Sequence, residues 1–196
     1  GGYCCCSLIV FLMVLIFGSL NGVEPTEVGI VFDYWSKAPL EQNYWREGGL
    51  WWTGYWTYVI RYPYTYQGIE FSNVQSTRDY SRLNTRTKEG LDLSVSFAFN
   101  FQYVKEKIPE LYRVCELDCQ DLIAKIAKNS VLQTAGTWKA SDYWLNRKSV
   151  GAAMQGNLTT SLANMGVGVK GFQLLKIDLP NTFEAAIVKT EVTNQE

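Results

Sequence analysis

The sequence predicts an α+β protein with an N-terminal membrane anchor helix and a mostly antiparallel sheet that carries helices on one side. The first half of the chain is rich in residues that favour strands. One long segment, Leu91–Tyr103, alternates strictly between apolar and polar positions. Helical patterns follow, with one more strand before a final helix. Strands and helices are thus grouped along the chain, as in α+β folds.

The N-terminal 23 residues contain no charged side chain. As a helix, the uncharged stretch Tyr3–Leu20 would be about 27 Å long, close to the roughly 30 Å of a bilayer core. We expect residues 1–22 to form an anchor with a single span, although the ten central residues could also form a buried core helix. These apolar residues are Leu8, Ile9, Val10, Phe11, Leu12, Met13, Val14, Leu15, Ile16 and Phe17.

Cysteines precede the apolar stretch at Cys4, Cys5 and Cys6. Cysteines beside a membrane segment are typical S-palmitoylation sites, and the alternative is that they are small apolar residues at a helix end. The positive-inside rule gives no orientation, because the nearest charges are Glu24 and Glu27. The plasma membrane, an endomembrane and the mitochondrial inner membrane all remain open as locations.

Five segments of the first half read as four strands and one loop. Val28–Tyr34 is a short β-rich run, and Pro63 separates two further strands over Trp56–Tyr62 and Tyr64–Phe71. The polar segment Asn73–Arg86 is predicted as a loop. The alternation of Leu91–Tyr103 predicts a long strand with one buried face.

The second half is predicted to be mainly helical, with Asp118 and Ser141 as N-caps. Val169–Leu179 alternates as a last strand, and residues 181–196 are the expected start of a C-terminal helix. The predicted helices before it are Pro109–Cys115, Cys119–Gln133 and the segment from Ser141 toward Asn164.

The chain has no histidine, which excludes Ser-His-Asp and Cys-His activation and histidine metal sites within it. Carboxylates at Glu116, Asp118 and Asp121 are better explained as charges favoured at a helix start. We expect no catalytic residue, metal or cofactor. The net charge of −1 gives no basic excess for nucleic acid. Cys115 and Cys119 are expected to be buried and reduced.

Five of the seven tryptophans lie between Trp35 and Trp56. Because Trp and Tyr favour the headgroup level of a bilayer, Trp51, Trp52 and Trp56 are predicted to form a membrane-interface or partner surface. Packing in a β core is the alternative. Asn157-Leu158-Thr159 is a glycosylation sequon, but it falls in a predicted helix and is expected to be unused.

A series of short motifs resembles the SPFH or band 7 superfamily, which includes stomatins, prohibitins and flotillins. The resemblance covers roughly residues 24–196, with residues 23–180 as the SPFH-like domain. The matching stretches are Gly49–Trp51, Val59–Pro63, Thr87–Gly90, Pro109–Tyr112, Leu122–Val131, Leu174–Pro180 and Phe183–Ile187.

The resemblance implies a membrane-anchored scaffold rather than an enzyme. Members of this superfamily form rings or cages on membranes, organise lipids and hold partner membrane proteins, so homo- or hetero-oligomers on a lipid bilayer are expected. They usually continue past the last strand into a long coiled coil. The alternative function is a structural accessory subunit of a large membrane complex, such as a mitochondrial respiratory complex. A lipid sensor or carrier and an enzyme are less favoured.

Overall fold

The computed structural model describes residues 13, 17–40, 45–73 and 79–180. Within them the chain forms strands in its first half and helices mainly in its second. The strands are β1 (Leu20–Val23), β2 (Glu27–Asp33), β3 (Trp45–Arg46), β4 (Gly49–Trp52), β5 (Thr57–Pro63), β6 (Gln67–Phe71), β7 (Asp79–Tyr80), β8 (Leu83–Arg86), β9 (Asp92–Tyr103) and β10 (Val167–Asp178). The helices with described bounds are α1 (Ile108–Cys115), α2 (Gln120–Ala135), α3 (Asp142–Leu145) and α4 (Arg147–Ala163).

The described residues fall into two compact units. The first lies within Gly1–Thr65 and Tyr103–Leu117, and the second within Tyr66–Gln102 and Asp118–Glu196. Mostly antiparallel sheets and helices make up both units, so the α+β class is confirmed. The strands form three sheets rather than the single predicted one.

A three-stranded antiparallel sheet in the order β3-β2-β5 forms the centre of the first unit. Strand β2 is buried on both faces from Val28 to Phe32, which explains its continuous apolar run. Gly29 makes this packing possible, because a Cβ there would lie 2.6 Å from Cγ1 of Val59 and 2.8 Å from Cγ2 of Val23. The missing side chain therefore leaves room for the neighbouring valines.

A separate two-stranded sheet joins β1 to β4, with Leu20 opposite Trp52 and Val23 opposite Gly49. The sequence did not predict β1. Its four residues include a glycine and an asparagine, which are poor strand formers, and its partner lies about thirty residues away. The sequence therefore contains no local signal for the pairing of β1 with β4.

Helix α1 packs on the central sheet of the first unit. Pro109 occupies its first turn, where the missing N–H has no cost. The ring centroid of Tyr112 lies 4.8 Å from that of Phe32, and the Tyr62 hydroxyl donates a hydrogen bond to the carbonyl of Glu116. Contacts with both β2 and β5 thus fix the helix.

Strand β9 pairs with three other strands of the second unit, and its burial pattern confirms the predicted alternation. It pairs with β6 through Phe97–Phe101 and with β8 through Asp92–Val95, and β10 lies beside it. Its inward positions are all buried. They are Leu93, Val95, Phe97, Phe99, Phe101 and Tyr103.

The predicted loop Asn73–Arg86 is wrong in part, because it contains β7 and β8. Strand β8 has a polar sequence, but Leu83 is buried and the backbone pairs with β9. Two ion pairs border it. Arg82 lies 3.0 Å from Asp178 and Arg86 lies 3.2 Å from Asp92.

Helices α2 and α4 pack against each other, and α4 packs on β10. The predicted cap at Asp118 is wrong, because Cys119 precedes α2. Ser141 does precede α3, as predicted, but its side chain makes no capping bond. The single helix expected after Ser141 is divided at Asn146, which has φ −120° and ψ 31°. In the alternating last strand, the apolar side chain of Leu175 is 42% exposed.

Other predictions fall outside the described residues. These include Cys4, Cys5, Cys6, most of the anchor and the C-terminal helix over residues 181–196. Among the residues that the structure does describe, no helix combines the length and the apolar character needed to cross a bilayer. Cys115 and Cys119 are disulfide-bonded, so the expectation that they are reduced is wrong.

Candidate functional site

The β1–β4 sheet presents an exposed apolar face where the N-terminal segment joins the first unit. Opposite residues of an antiparallel pair lie on the same face, and Leu20 is opposite Trp52 while Gly22 is opposite Leu50. Trp52 is 76% exposed and Leu50 is 68% exposed. Gly22 carries no side chain, so the Leu50 and Trp52 side chains dominate this face.

Hydrogen bonds hold this end of the sheet in place. The Thr53 backbone N–H donates to the Ser19 carbonyl at 3.1 Å, and Asn21 Nδ2 donates to Thr53 Oγ1 at 2.6 Å. Gly18 lies close to an exposed ring, because a Cβ on it would be 3.2 Å from the Tyr55 hydroxyl. The last residues of the N-terminal segment therefore emerge directly beside Trp52 and Tyr55.

Trp51 is more firmly fixed than its neighbour. Its Nε1 donates to the Glu47 carbonyl at 2.7 Å, and the Arg46 guanidinium carbon lies 4.8 Å from the centroid of its ring. It is about one-third exposed. Because Trp51 is opposite Asn21 and side chains alternate along a strand, Trp51 lies on the other face of the β1–β4 sheet from Trp52.

A second group of exposed rings follows β4 in the chain and includes Tyr55 and Trp56. The ring centroids of Trp35 and Trp56 are 5.8 Å apart, and those of Tyr34 and Trp35 are 6.3 Å apart. We call the combined set the aromatic surface. Its members are Tyr34, Trp35, Leu50, Trp52, Tyr55 and Trp56, all of them exposed.

A carboxylate lies at the edge of the aromatic surface. Asp33 Oδ1 accepts the Trp35 N–H at 3.3 Å, and Oδ2 accepts from the backbone and hydroxyl of Ser36. The bond from the Trp35 N–H, and then that from the Ser36 hydroxyl, hold the pKa of Asp33 below its usual range. The side chain therefore carries a full negative charge at neutral pH.

Of the predicted surface residues, Trp52 and Trp56 are exposed members of this surface, whereas Trp51 lies on the opposite face of the β1–β4 sheet. Tyr34, Trp35 and Leu50 were not among the predicted surface residues. The density of tryptophan from position 35 onward was the available signal for Trp35. Of the predicted anchor residues, Met13 and Phe17 are described, and both are exposed.

The sequon asparagine is part of the packing between α2 and α4. Asn157 Nδ2 donates to the Ser130 carbonyl at 3.1 Å and to Thr134 Oγ1 at 2.9 Å. Ser130 and Thr134 are buried. The amide nitrogen that would carry a sugar is therefore engaged inside the helix pair. That the sequon is unused stays a prediction.

We expect Asn157→Ala to lower the free energy of unfolding by about 1–3 kcal/mol, because it removes two hydrogen bonds between α2 and α4. Thr159→Ala is the matched control. It also destroys the sequon, but Thr159 is half-buried and its hydroxyl donates within its own helix. In cells that glycosylate secreted proteins, neither variant should change the electrophoretic mass. A mass decrease in both variants would contradict this prediction.

The described part of the chain has an antiparallel α+β fold, and its first unit carries an exposed aromatic surface. Comparison with family models makes the assignment specific: residues 22–196 match the SPFH domain / Band 7 family, and the chain belongs to that family. Membership indicates a membrane-associated scaffold role in general terms, and the resemblance seen in the sequence is confirmed. A comparison with curated proteins found no match.

Proposed function

We propose that the protein is a non-enzymatic, membrane-anchored scaffold whose first unit rests on the bilayer through the aromatic surface. The observation that carries the proposal is the position of this surface. Two of its members lie beside the point where the apolar N-terminal segment joins the domain, with Leu20 paired to Trp52 and Gly18 beside Tyr55.

The composition of the surface suits the bilayer interface. Trp and Tyr are enriched at the headgroup level because they combine an apolar ring with a polar group. Large exposed apolar patches are rare on soluble proteins and mark interaction sites. A span ending at Phe17 would hold the aromatic surface close to the headgroups, so the local concentration of lipid would be high.

The scaffold role supposes self-association and contacts with other membrane proteins. The family assignment supports the scaffold role. The absence of histidine removes the commonest general base and therefore supports the non-enzymatic part of the proposal. The same surface would suit a protein partner, since interface cores are enriched in aromatic residues.

The bilayer contact can be tested by tryptophan fluorescence. The full chain is reconstituted into vesicles whose lipids carry bromine on their acyl chains, which quenches nearby tryptophans. We expect Trp52→Phe and Trp56→Phe each to remove part of the quenchable emission. Trp144→Phe is the control, because Trp144 is 55% exposed but is not a member of the aromatic surface, and its loss should leave the quenchable emission unchanged. Equal losses in all three variants would overturn the proposal.

A structural accessory subunit of a large membrane complex is the second candidate, since the aromatic surface could equally contact protein. The mass and subunit composition of the detergent-extracted native particle distinguish the two. A large particle made only of this chain supports the autonomous scaffold. Many different proteins at fixed stoichiometry would make this chain a recruited subunit.

A further inference from the structure

The turn that follows β2 presents two of the exposed rings in a fixed arrangement. The Tyr34 N–H donates to the Trp56 carbonyl at 2.7 Å, and the Lys37 N–H donates to the Asp33 carbonyl at 2.9 Å. Lys37 has a φ of 50°, a left-handed conformation that closes the turn. Backbone bonds, rather than ring contacts alone, therefore hold Tyr34 and Trp35 beside Trp56.

These three rings, which we call the aromatic corner, are inclined to one another and open to solvent. The planes of Tyr34 and Trp35 differ by 86°, and those of Trp35 and Trp56 differ by 50°. Trp35 is 74% exposed. A cation is attracted to an aromatic face when it lies within about 6 Å of the ring centroid. Neighbouring centroids are 5.8 and 6.3 Å apart, so one cation can contact two rings.

The Asp33 carboxylate adds a negative charge to the corner. It accepts three hydrogen bonds from the turn, and within the described part of the chain it forms no ion pair. The neighbouring cationic side chain in the turn is Lys37, which is exposed. Rings and carboxylate together favour a cationic ligand.

We propose that the aromatic corner binds the trimethylammonium group of choline lipids. This inference rests on the proposed function, in which the first unit lies on a bilayer. A quaternary ammonium has no N–H to hydrogen-bond with water, whereas a primary ammonium is strongly hydrated. Aromatic rings therefore favour choline over ethanolamine, and quaternary ammonium ligands are recognised by such rings.

A competition between two lipids of equal net charge tests the inference. The full chain is reconstituted in equimolar choline and ethanolamine phospholipids, with brominated acyl chains on only one of them at a time. The ratio of tryptophan quenching in the two preparations reports which lipid is enriched at the surface. We expect brominated choline lipid to quench more in the wild type.

Trp35→Leu should lower this preference about two- to fivefold, as expected for one ring–cation contact. Asp33→Asn should also lower it, while Trp35→Phe, which keeps a ring, should retain part of it. Trp144→Leu is the control and should leave the ratio unchanged. Thermal unfolding in each variant verifies the fold.

The outcomes separate the inference from the proposed function. Equal quenching by both brominated lipids overturns choline recognition and leaves the bilayer contact standing. Quenching by neither lipid overturns the proposed function itself. A preference that survives in Trp35→Leu, or that is lost equally in Trp144→Leu, shows that the aromatic corner does not carry it.

Discussion

Replacing Gly48 by alanine is expected to disrupt the first unit and to lower the thermal unfolding midpoint of the full chain. A Cβ on Gly48 would lie 2.4 Å from the Cα of Pro25 and 2.8 Å from its nitrogen. These are backbone atoms, so no change of rotamer relieves the collision. Overpacking of this kind costs about 3 kcal/mol, which corresponds to roughly 6–12 °C for a chain of this size.

The collision has a topological cause. The chain passes from β1 to β2 through Pro25 and from β3 to β4 through Gly48, while β1 pairs with β4 and β2 pairs with β3. The two connections therefore run side by side between two sheets, at a distance that admits only glycine at position 48.

Gly156→Ala is the matched control for this glycine substitution. Gly156 is exposed in α4, and a Cβ there would meet no atom within 4 Å. Alanine favours a helix over glycine by up to about 1 kcal/mol, so the midpoint should rise slightly. Circular dichroism in detergent measures both variants. An unchanged midpoint in Gly48→Ala would show that the backbone approach is not required for the fold.

The second large effect is expected for Phe97→Ala in the second unit. Phe97 is fully buried, its ring stacks on Phe71 with centroids 4.5 Å apart, and Phe172 lies 5.6 Å away. Truncating a buried phenylalanine costs about 3–5 kcal/mol through lost burial and the cavity that remains. We therefore expect a decrease of the unfolding midpoint of roughly 6–20 °C.

Two further variants of the second unit test whether lost burial and the remaining cavity cause the destabilisation. Phe97→Leu keeps most of the apolar volume and should cost clearly less than Phe97→Ala. Leu145→Ala removes an apolar side chain that is 69% exposed, and it should change stability by less than about 0.5 kcal/mol. Similar midpoints for Phe97→Ala and Leu145→Ala would mean that the β9 core does not determine stability.

The elements that were predicted well are those whose signal lies within one segment. Strand β9 has a buried face at every second residue, and its predicted bounds are shifted by one residue at the N-terminal end. Helix α1 begins at Ile108, next to the predicted Pro109. In both cases local periodicity and proline chemistry are sufficient.

The elements that were missed depend on distant partners. Strand β8 consists of Leu-Asn-Thr-Arg and becomes a strand through its pairing with β9. The intrinsic strand propensity of these four residues does not include the effect of a distant partner strand. The cap at Asp118 was wrong because α2 begins two residues later, after Cys119. Capping residues are identifiable in sequence only where the helix boundary is already known.

Only some residues of the aromatic surface could be predicted from the sequence. Tryptophan density indicated Trp52 and Trp56, but it could not distinguish them from Trp51, which lies on the other face of the β1–β4 sheet. That distinction depends on the β1–β4 register and on the hydrogen bond from Trp51 to Glu47. The contribution of Trp35 depends on the turn at Asp33 and on its contact with Trp56.

The engagement of Asn157 between α2 and α4 also affects how the topology of this protein can be mapped. A chain that carries no sugar at Asn157 is compatible with either side of a membrane, since the amide is hydrogen-bonded between two helices. A usable reporter needs an exposed asparagine. Lys148→Thr would complete a sequon at Asn146, where both side chains are exposed. Gain of a glycan at Asn146 would place the second unit on the lumenal or extracellular side.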